Sequence, residues 1–115
     1  MNIATFPFQT LDWSSIPREE HKGETGMAYW QTKMMNDIRV RMVEYSPGYK
    51  ADHWCRKGHI ILCTEGEMET ELSAGSGGDD GRILTLSNGM TYFVGDNCEA
   101  HRSSTKTGCK LFIVD

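Results

Sequence analysis

His53, Cys55 and His59 bring two imidazoles and a thiol into the run 53–59. The stretch from Gly48 to Gly66 reads Gly-Tyr-Lys-Ala-Asp-His-Trp-Cys-Arg-Lys-Gly-His-Ile-Ile-Leu-Cys-Thr-Glu-Gly. Imidazole and thiolate together suit zinc, nickel or iron. On an extended strand, residues i and i+2 project to the same face. That spacing points His53 and Cys55 together and Trp54 away, with His59 following a bend at Gly58. The competing reading is a core histidine, a small buried thiol and an unrelated surface histidine. For the trio as a group, the metal site is the reading adopted. Cys63, in the apolar run Ile-Ile-Leu-Cys, and Cys98, at a turn three residues before His101, stay open as alternative ligands. Cys109 opens the last apolar run and reads as core.

The same stretch resembles the first motif of the cupin superfamily: Gly, a gap, His-x-His, three or four residues, Glu, six residues, Gly. Gly48 stands first and His53 at the first His. Cys55 takes the second His position, His59 the Glu position, and Gly66 closes. The second cupin motif is Gly, five residues, Pro-x-Gly, two residues, His, three residues, Asn, and Gly89 to Thr105 resembles it loosely. Gly95 stands in place of Pro and Asn97 in place of Gly. His101 comes one residue late, and Thr105 falls at the Asn position. The run Asp52-His53-Trp54-Cys55 is also similar to bacterial DHCW-motif cupins, with a different letter order. The resemblance implies an all-β fold, a single antiparallel β-barrel of jelly-roll type. It also implies a metal ligand set of His53, Cys55, His59 and His101, three imidazoles and one thiolate converging in one cavity.

The elements that must position these residues read as short strands. Ala28–Lys33 and Ile38–Tyr45 form two strands turning at Asn36-Asp37. In the second, Ile38, Val40 and Met42 share one face and Arg39 and Arg41 the other, the alternation of a half-buried strand. His59–Cys63 and Glu67–Leu72 read as a pair turning at Glu65-Gly66. Met68, Thr70 and Leu72 alternate there with a solvated row of Glu67, Glu69 and Glu71. Ile83–Leu86, Met90–Val94 and Lys110–Val114 complete the set. Pro17 followed by Arg18-Glu19-Glu20 suggests one helical turn. Residues 73–82 are Gly-rich and read as a flexible hairpin tip; neither a phosphate loop nor a calcium loop fits them. Met1–Phe8 reads as a lead-in or edge strand, and His21 as an exposed histidine. Frequent breaks and the lack of a long amphipathic pattern favour a sandwich or barrel.

The 115 residues suffice for one domain, expected to span 1–115. The net charge of −4 includes no basic run, which argues against nucleic acid and anionic membranes as partners. No apolar run approaches the roughly 20 residues of a membrane span. The N-terminus lacks the pattern of a signal peptide. A cytoplasmic location with all four Cys reduced is therefore expected. The resemblance implies a metal-dependent enzyme of oxygenase, isomerase or lyase type, acting on a small polar metabolite as a homodimer. Its cofactor would be one divalent transition metal, zinc, nickel or iron. Trp30, Tyr45, Trp54 and Tyr92 are the candidate pocket-lining residues. The alternative is a non-catalytic small-molecule binding barrel, with or without a structural metal.

Overall fold

The computed structural model describes residue 3, residues 5–73 and residues 81–115. Most of the Gly-rich tip expected at 73–82, including Asp79 and Asp80, lies outside the described residues. The strands are β1 (Glu19–Lys22), β2 (Met27–Met35), β3 (Ile38–Tyr45), β4 (His59–Leu72), β5 (Ile83–Ser87), β6 (Thr91–Val94), β7 (His101–Ser104) and β8 (Cys109–Val114). All pairings between them are antiparallel. The strand order is β1-β2-β3-β8-β4-β5, and β6 and β7 also pair with β4. The β2–β3 hairpin turns at Asn36-Asp37 as its sequence requires. Asn36 sits at φ 57, a left-handed conformation that Asn tolerates better than most residues.

Three expectations are corrected. The helical turn at Pro17–Glu20 does not form. A 3-10 turn at Trp13–Ser15, capped by the Asp12 carboxylate accepting from Ser14 N–H at 3.0 Å, precedes it instead. Glu19–Lys22 is drawn into pairing with Met27–Trp30, so tertiary pairing overrides local helix preference. Glu65-Gly66 does not reverse the chain. β4 is one 14-residue strand whose register slips between Cys63 and Glu65. A bulge of this kind bends and twists a strand without ending it. Finally, the sheet is not closed into a barrel; β1 and β5 remain its two ends.

The bend makes β4 the shared strand of a jelly-roll architecture. Its first half pairs with β6 and β8, and its second half with β5 and β7. Gly66 sits at the corner with φ 81, and a Cβ there would run into the Gly108 carbonyl. Gly66→Ala should therefore cost more than about 1 kcal/mol in urea denaturation. Gly89→Ala is the control: it has a similar φ of 89 but nothing within 4 Å, so it should cost less.

The core between the sheet faces is built by Val43, Ile61, Cys63, Met68, Leu86, Cys109, Leu111 and Ile113. Met68, Thr70 and Leu72 face inward, as their alternation predicts. β3 also alternates, but Arg41 and Val43 lie on its buried row, while Val40 and Met42 are only half-buried. The apolar face of β3 is thus not the most buried one. An arginine is tolerated inside because a carboxylate meets it, as described below. Burial raises the Cys63 thiol and pushes Cys109 up to about 12, so both core thiols stay protonated and behave as small apolar groups. Among the described residues, no helix is long and apolar enough to cross a membrane.

Candidate metal centre

Strand register delivers the site. β3, β8 and β4 lie side by side, with Val40 opposite Val114 and Val114 opposite Ile60. One step further along, Arg39 and Asp115 exchange backbone hydrogen bonds of 2.7 and 2.9 Å. On the other side of Asp115 stands His59, the first residue of β4. On β8 the inward row Cys109, Leu111 and Ile113 continues to Asp115, so the apolar periodicity ends on a buried carboxylate.

That carboxylate is the hub of an ionic cluster. Asp115 Oδ1 accepts from Arg39 Nε at 2.9 Å, and Oδ2 accepts from Arg39 at 3.1 Å and Arg41 at 3.0 Å. Oδ2 also accepts from His59 Nδ1 at 2.8 Å. Burial pushes the Asp115 carboxyl up. The His59 hydrogen bond and the two guanidiniums outweigh it and hold the group well below the usual carboxylate range. Trp30 roofs the cluster, with the Arg41 guanidinium 4.3 Å from its ring centroid.

Because a carboxylate only accepts, the hydrogen on neutral His59 is at Nδ1 and its Nε2 lone pair is free. Nε2 faces the Cys55 sulfur at 3.4 Å. Burial lowers the His59 pKa, but Asp115 and Cys55 together overcome it and leave it raised.

Cys55 reaches the same point from the loop before β4. It forms an antiparallel bridge with His101, Cys55 N–H donating to His101 O at 2.8 Å and His101 N–H to Cys55 O at 2.9 Å. Residues paired in this way carry their side chains on one face. His101 is buried, and its Nδ1 donates to the Glu99 carbonyl at 2.9 Å. Its Nε2, also buried, has no hydrogen-bond partner. The His59 and His101 rings stand edge to face, 5.1 Å between centroids.

Cys55, His59 and His101 each offer one donor atom, and these atoms lie within 4.8 Å of one another. Both histidines have Nδ1 engaged by an outer hydrogen bond, as metal-binding imidazoles do; His101 Nε2 has no partner and His59 Nε2 meets only the Cys55 sulfur. The His101 ring first, and His59 second, stabilise the Cys55 thiolate and bring its pKa down to about 5 against the opposing effect of burial. The donor set therefore fits a borderline-soft divalent metal. In metal-free protein carrying Cys98→Ser, which removes the exposed competing thiol, iodoacetamide should alkylate Cys55 half-maximally near pH 5. A midpoint close to 9 would contradict the thiolate.

His53 lies outside this group. Residues 51–58 carry bends and one bridge rather than a strand, so the i, i+2 rule has no extended backbone to act on. The His53 side chain is 73% exposed, and its Nδ1 pairs with Asp52 at 2.7 Å. Cys63 is buried in the core and Cys98 is exposed; neither belongs to the cluster. His21 stacks on Trp30 at 3.8 Å. Asp115 was not anticipated as a site residue. The period-2 row on β8 was the available signal, but nothing in the sequence opposes Asp115 to His59.

Two cavities flank the cluster. One, of about 740 Å³, is lined by His59 and Asp115 together with Lys57, Asp96 and Phe93. The other, of about 430 Å³, is lined by His101 and Tyr92. Of the four aromatic residues expected to line a pocket, Trp30, Tyr45 and Trp54 do not line the His101 cavity. Trp30 covers the arginines, Tyr45 stacks on Tyr49 at 4.1 Å, and Trp54 lies half-exposed beneath Arg102 at 4.6 Å.

No model of a known protein family matches the chain, and no curated protein sequence matches it. Solved structures do. A predicted oxalate decarboxylase from Thermotoga maritima superposes with a TM-score of 0.73 at 16% identity, covering 92% of this chain and 96% of that one. An RmlC-like cupin from Shewanella frigidimarina gives 0.66 at 18% identity, covering 88% and 83%. The oxalate decarboxylase of Lactobacillus farciminis, in its formate complex, gives 0.71 at 14% identity, covering 96% of this chain and 33% of that one. With an all-β antiparallel sheet that bends through β4 and matches these structures over most of its length, the chain is a small protein of the cupin jelly-roll fold.

Proposed function

We propose that the chain is a metal-dependent enzyme of cupin type, in which Cys55, His59 and His101 hold one divalent transition metal. The observation that carries this reading is the convergence of three donor atoms within 4.8 Å, both imidazoles having Nδ1 tied back. A closed structural zinc uses four protein ligands, whereas catalytic sites use three and keep a position for water or substrate. The described residues bring three together, and this supports an open site. When bound, the metal supplies Lewis-acid polarisation or oxygen activation.

The protein's own groups have separate tasks. Asp115 keeps the proton on His59 Nδ1 and orients the ring. The Glu99 carbonyl does the same for His101. The two arginines keep the Asp115 carboxylate ionised, so His59 remains a strong donor. Oxidation, isomerisation or lyase chemistry on a small metabolite is the activity class, by fold analogy. The same reading takes residues 1–115 as one domain, working as a cytoplasmic homodimer.

Metal analysis of protein purified without a histidine tag tests the proposal. About one equivalent of zinc, nickel or iron per chain is expected. Protein that takes up none of the three when they are offered in excess would refute it.

A further inference from the structure

Cys55, His59 and Asp115 stand in the order of a nucleophile, its base and the group that holds the base. The Cys55 sulfur is 3.4 Å from His59 Nε2, and Asp115 Oδ2 accepts from His59 Nδ1 at 2.8 Å. They come from the loop before β4, the first residue of β4 and the residue after β8, so sheet register assembles the line. Asp115 is fully buried and fixed by Arg39 at 2.9 Å and Arg41 at 3.0 Å, which gives the ring it holds one orientation. With the hydrogen on Nδ1, the Nε2 lone pair faces the thiol and can take its proton. Cys55 keeps part of its surface exposed, unlike the core thiols Cys63 and Cys109. The Lys57 backbone N–H also donates to the Cys55 sulfur. A fixed donor beside a nucleophile can meet the oxygen of an attacked carbonyl. Beside His59, the cavity of about 740 Å³ runs past Ile60, Phe93 and Val114, room for a small and largely apolar group.

We propose that Cys55, His59 and Asp115 form a nucleophilic triad that gives the metal-free protein an acyl-transfer activity on small esters and thioesters. This goes beyond the metal reading and does not rest on it. His59 Nε2 takes the thiol proton while the Cys55 sulfur bonds to the acyl carbon. The bond from that carbon to the leaving group breaks, and the alcohol or thiol departs with the proton from Nε2. Nε2 next takes a proton from water, whose oxygen attacks the acyl carbon. The acyl–sulfur bond breaks, the carboxylic acid leaves, and the sulfur recovers its proton from His59. The cycle consumes only water and the acyl donor. Cys55 and His59 are the catalytic residues and Asp115 is a positioning residue. A metal held by the same sulfur and nitrogen engages the electron pairs this chemistry uses, so the activity belongs to the chelated state.

The test is hydrolysis of p-nitrophenyl acetate at neutral pH by chelated protein carrying Cys98→Ser, which removes the exposed thiol outside the triad. This parent should release several equivalents of nitrophenolate per chain, and mass spectrometry of a quenched sample should find one acetyl group on Cys55. Adding Cys55→Ser should reduce the rate to that of buffer. Adding His59→Gln, whose amide can still reach Asp115, should slow turnover by roughly 100-fold. Asp115→Asn should lower kcat by a similar factor with KM near the parent value, because an amide donating to Nδ1 leaves the hydrogen on Nε2. Circular dichroism establishes that each variant is folded, and His59→Gln decides the matter if Asp115→Asn is not.

The inference is overturned if the parent is no faster than Cys55→Ser, or stops after one equivalent. It is also overturned if folded His59→Gln turns over like the parent. Because hydrolysis is read in chelated protein, its failure and a failure to bind zinc are distinguishable. Zinc uptake without hydrolysis removes only this inference, and hydrolysis without zinc uptake removes only the metal reading.

Discussion

His101→Ala lowers zinc affinity by more than about 100-fold, and His53→Ala leaves it at the parent value. The pair is informative because both residues occupy cupin His positions, yet the fold separates them. His101 is buried, with Nδ1 held by the Glu99 carbonyl and Nε2 unpartnered beside Cys55 and His59. Removing it leaves two protein donors and an apolar gap, and its loss should exceed the 10- to 100-fold effect of a residue acting behind a ligand. His53 is 73% exposed and engaged with Asp52, so its removal touches only surface chemistry. Cys55→Ser should weaken zinc more than manganese, because the thiolate is the soft donor. Affinity should also fall as pH drops through the raised His59 value, where a proton competes for its Nε2. Competition titration against a chromophoric chelator reads all of these. Equal zinc binding by His101→Ala and the parent would show that the cluster is not the metal site.

Asp115→Asn destabilises the protein by about 3 kcal/mol and lowers metal affinity as well. The first effect follows from burial: the Asp115 side chain is 0% exposed and meets Arg39 and Arg41, the latter only 6% exposed. Removing one partner of a buried pair leaves the other charge uncompensated, at a cost of about 3–5 kcal/mol. The second effect follows because an amide holds His59 less firmly and raises its basicity less, which costs about 10- to 100-fold in metal affinity. The pH dependence has a definite sign. The folded carboxyl titrates below its ordinary value of 3.8. Its stabilisation is therefore complete above that value and is lost as pH falls through the lower, folded one. The variant should lack this acid-induced loss. Urea denaturation from neutral to acid pH measures it. A variant as stable as the parent at pH 7 would show that the cluster contributes little.

Much of this was legible from local pattern. Period-2 alternation in Met68, Thr70 and Leu72 requires no knowledge of the partner strand, because the pleat alone sets which side chains share a face. Asn36-Asp37 declares its own hairpin, since few residues accept a left-handed φ. Motif spacing likewise placed Cys55, His59 and His101 in one cavity, and their donor atoms do lie within 4.8 Å of one another.

Where local pattern failed, a distant partner had decided the outcome. Glu65-Gly66 has the composition of a turn, but both halves of β4 already have neighbours to either side, so a bulge bends the strand without reversing it. His53 obeys the i, i+2 rule only if residues 51–58 are extended; the loop is instead tied down by the Cys55–His101 bridge. Arg41 reads as a surface residue until Asp115, 74 positions away, neutralises it. The sequence by itself determined the all-β character, the cupin-like spacing and the soft donor types. Only the tertiary structure decided that three donors meet rather than four, and that a buried aspartate stands behind one of them. The physical reason is register: which residue faces His59 depends on how β4 and β8 align, and that alignment is set by packing summed over the whole sheet rather than by any residue near the site.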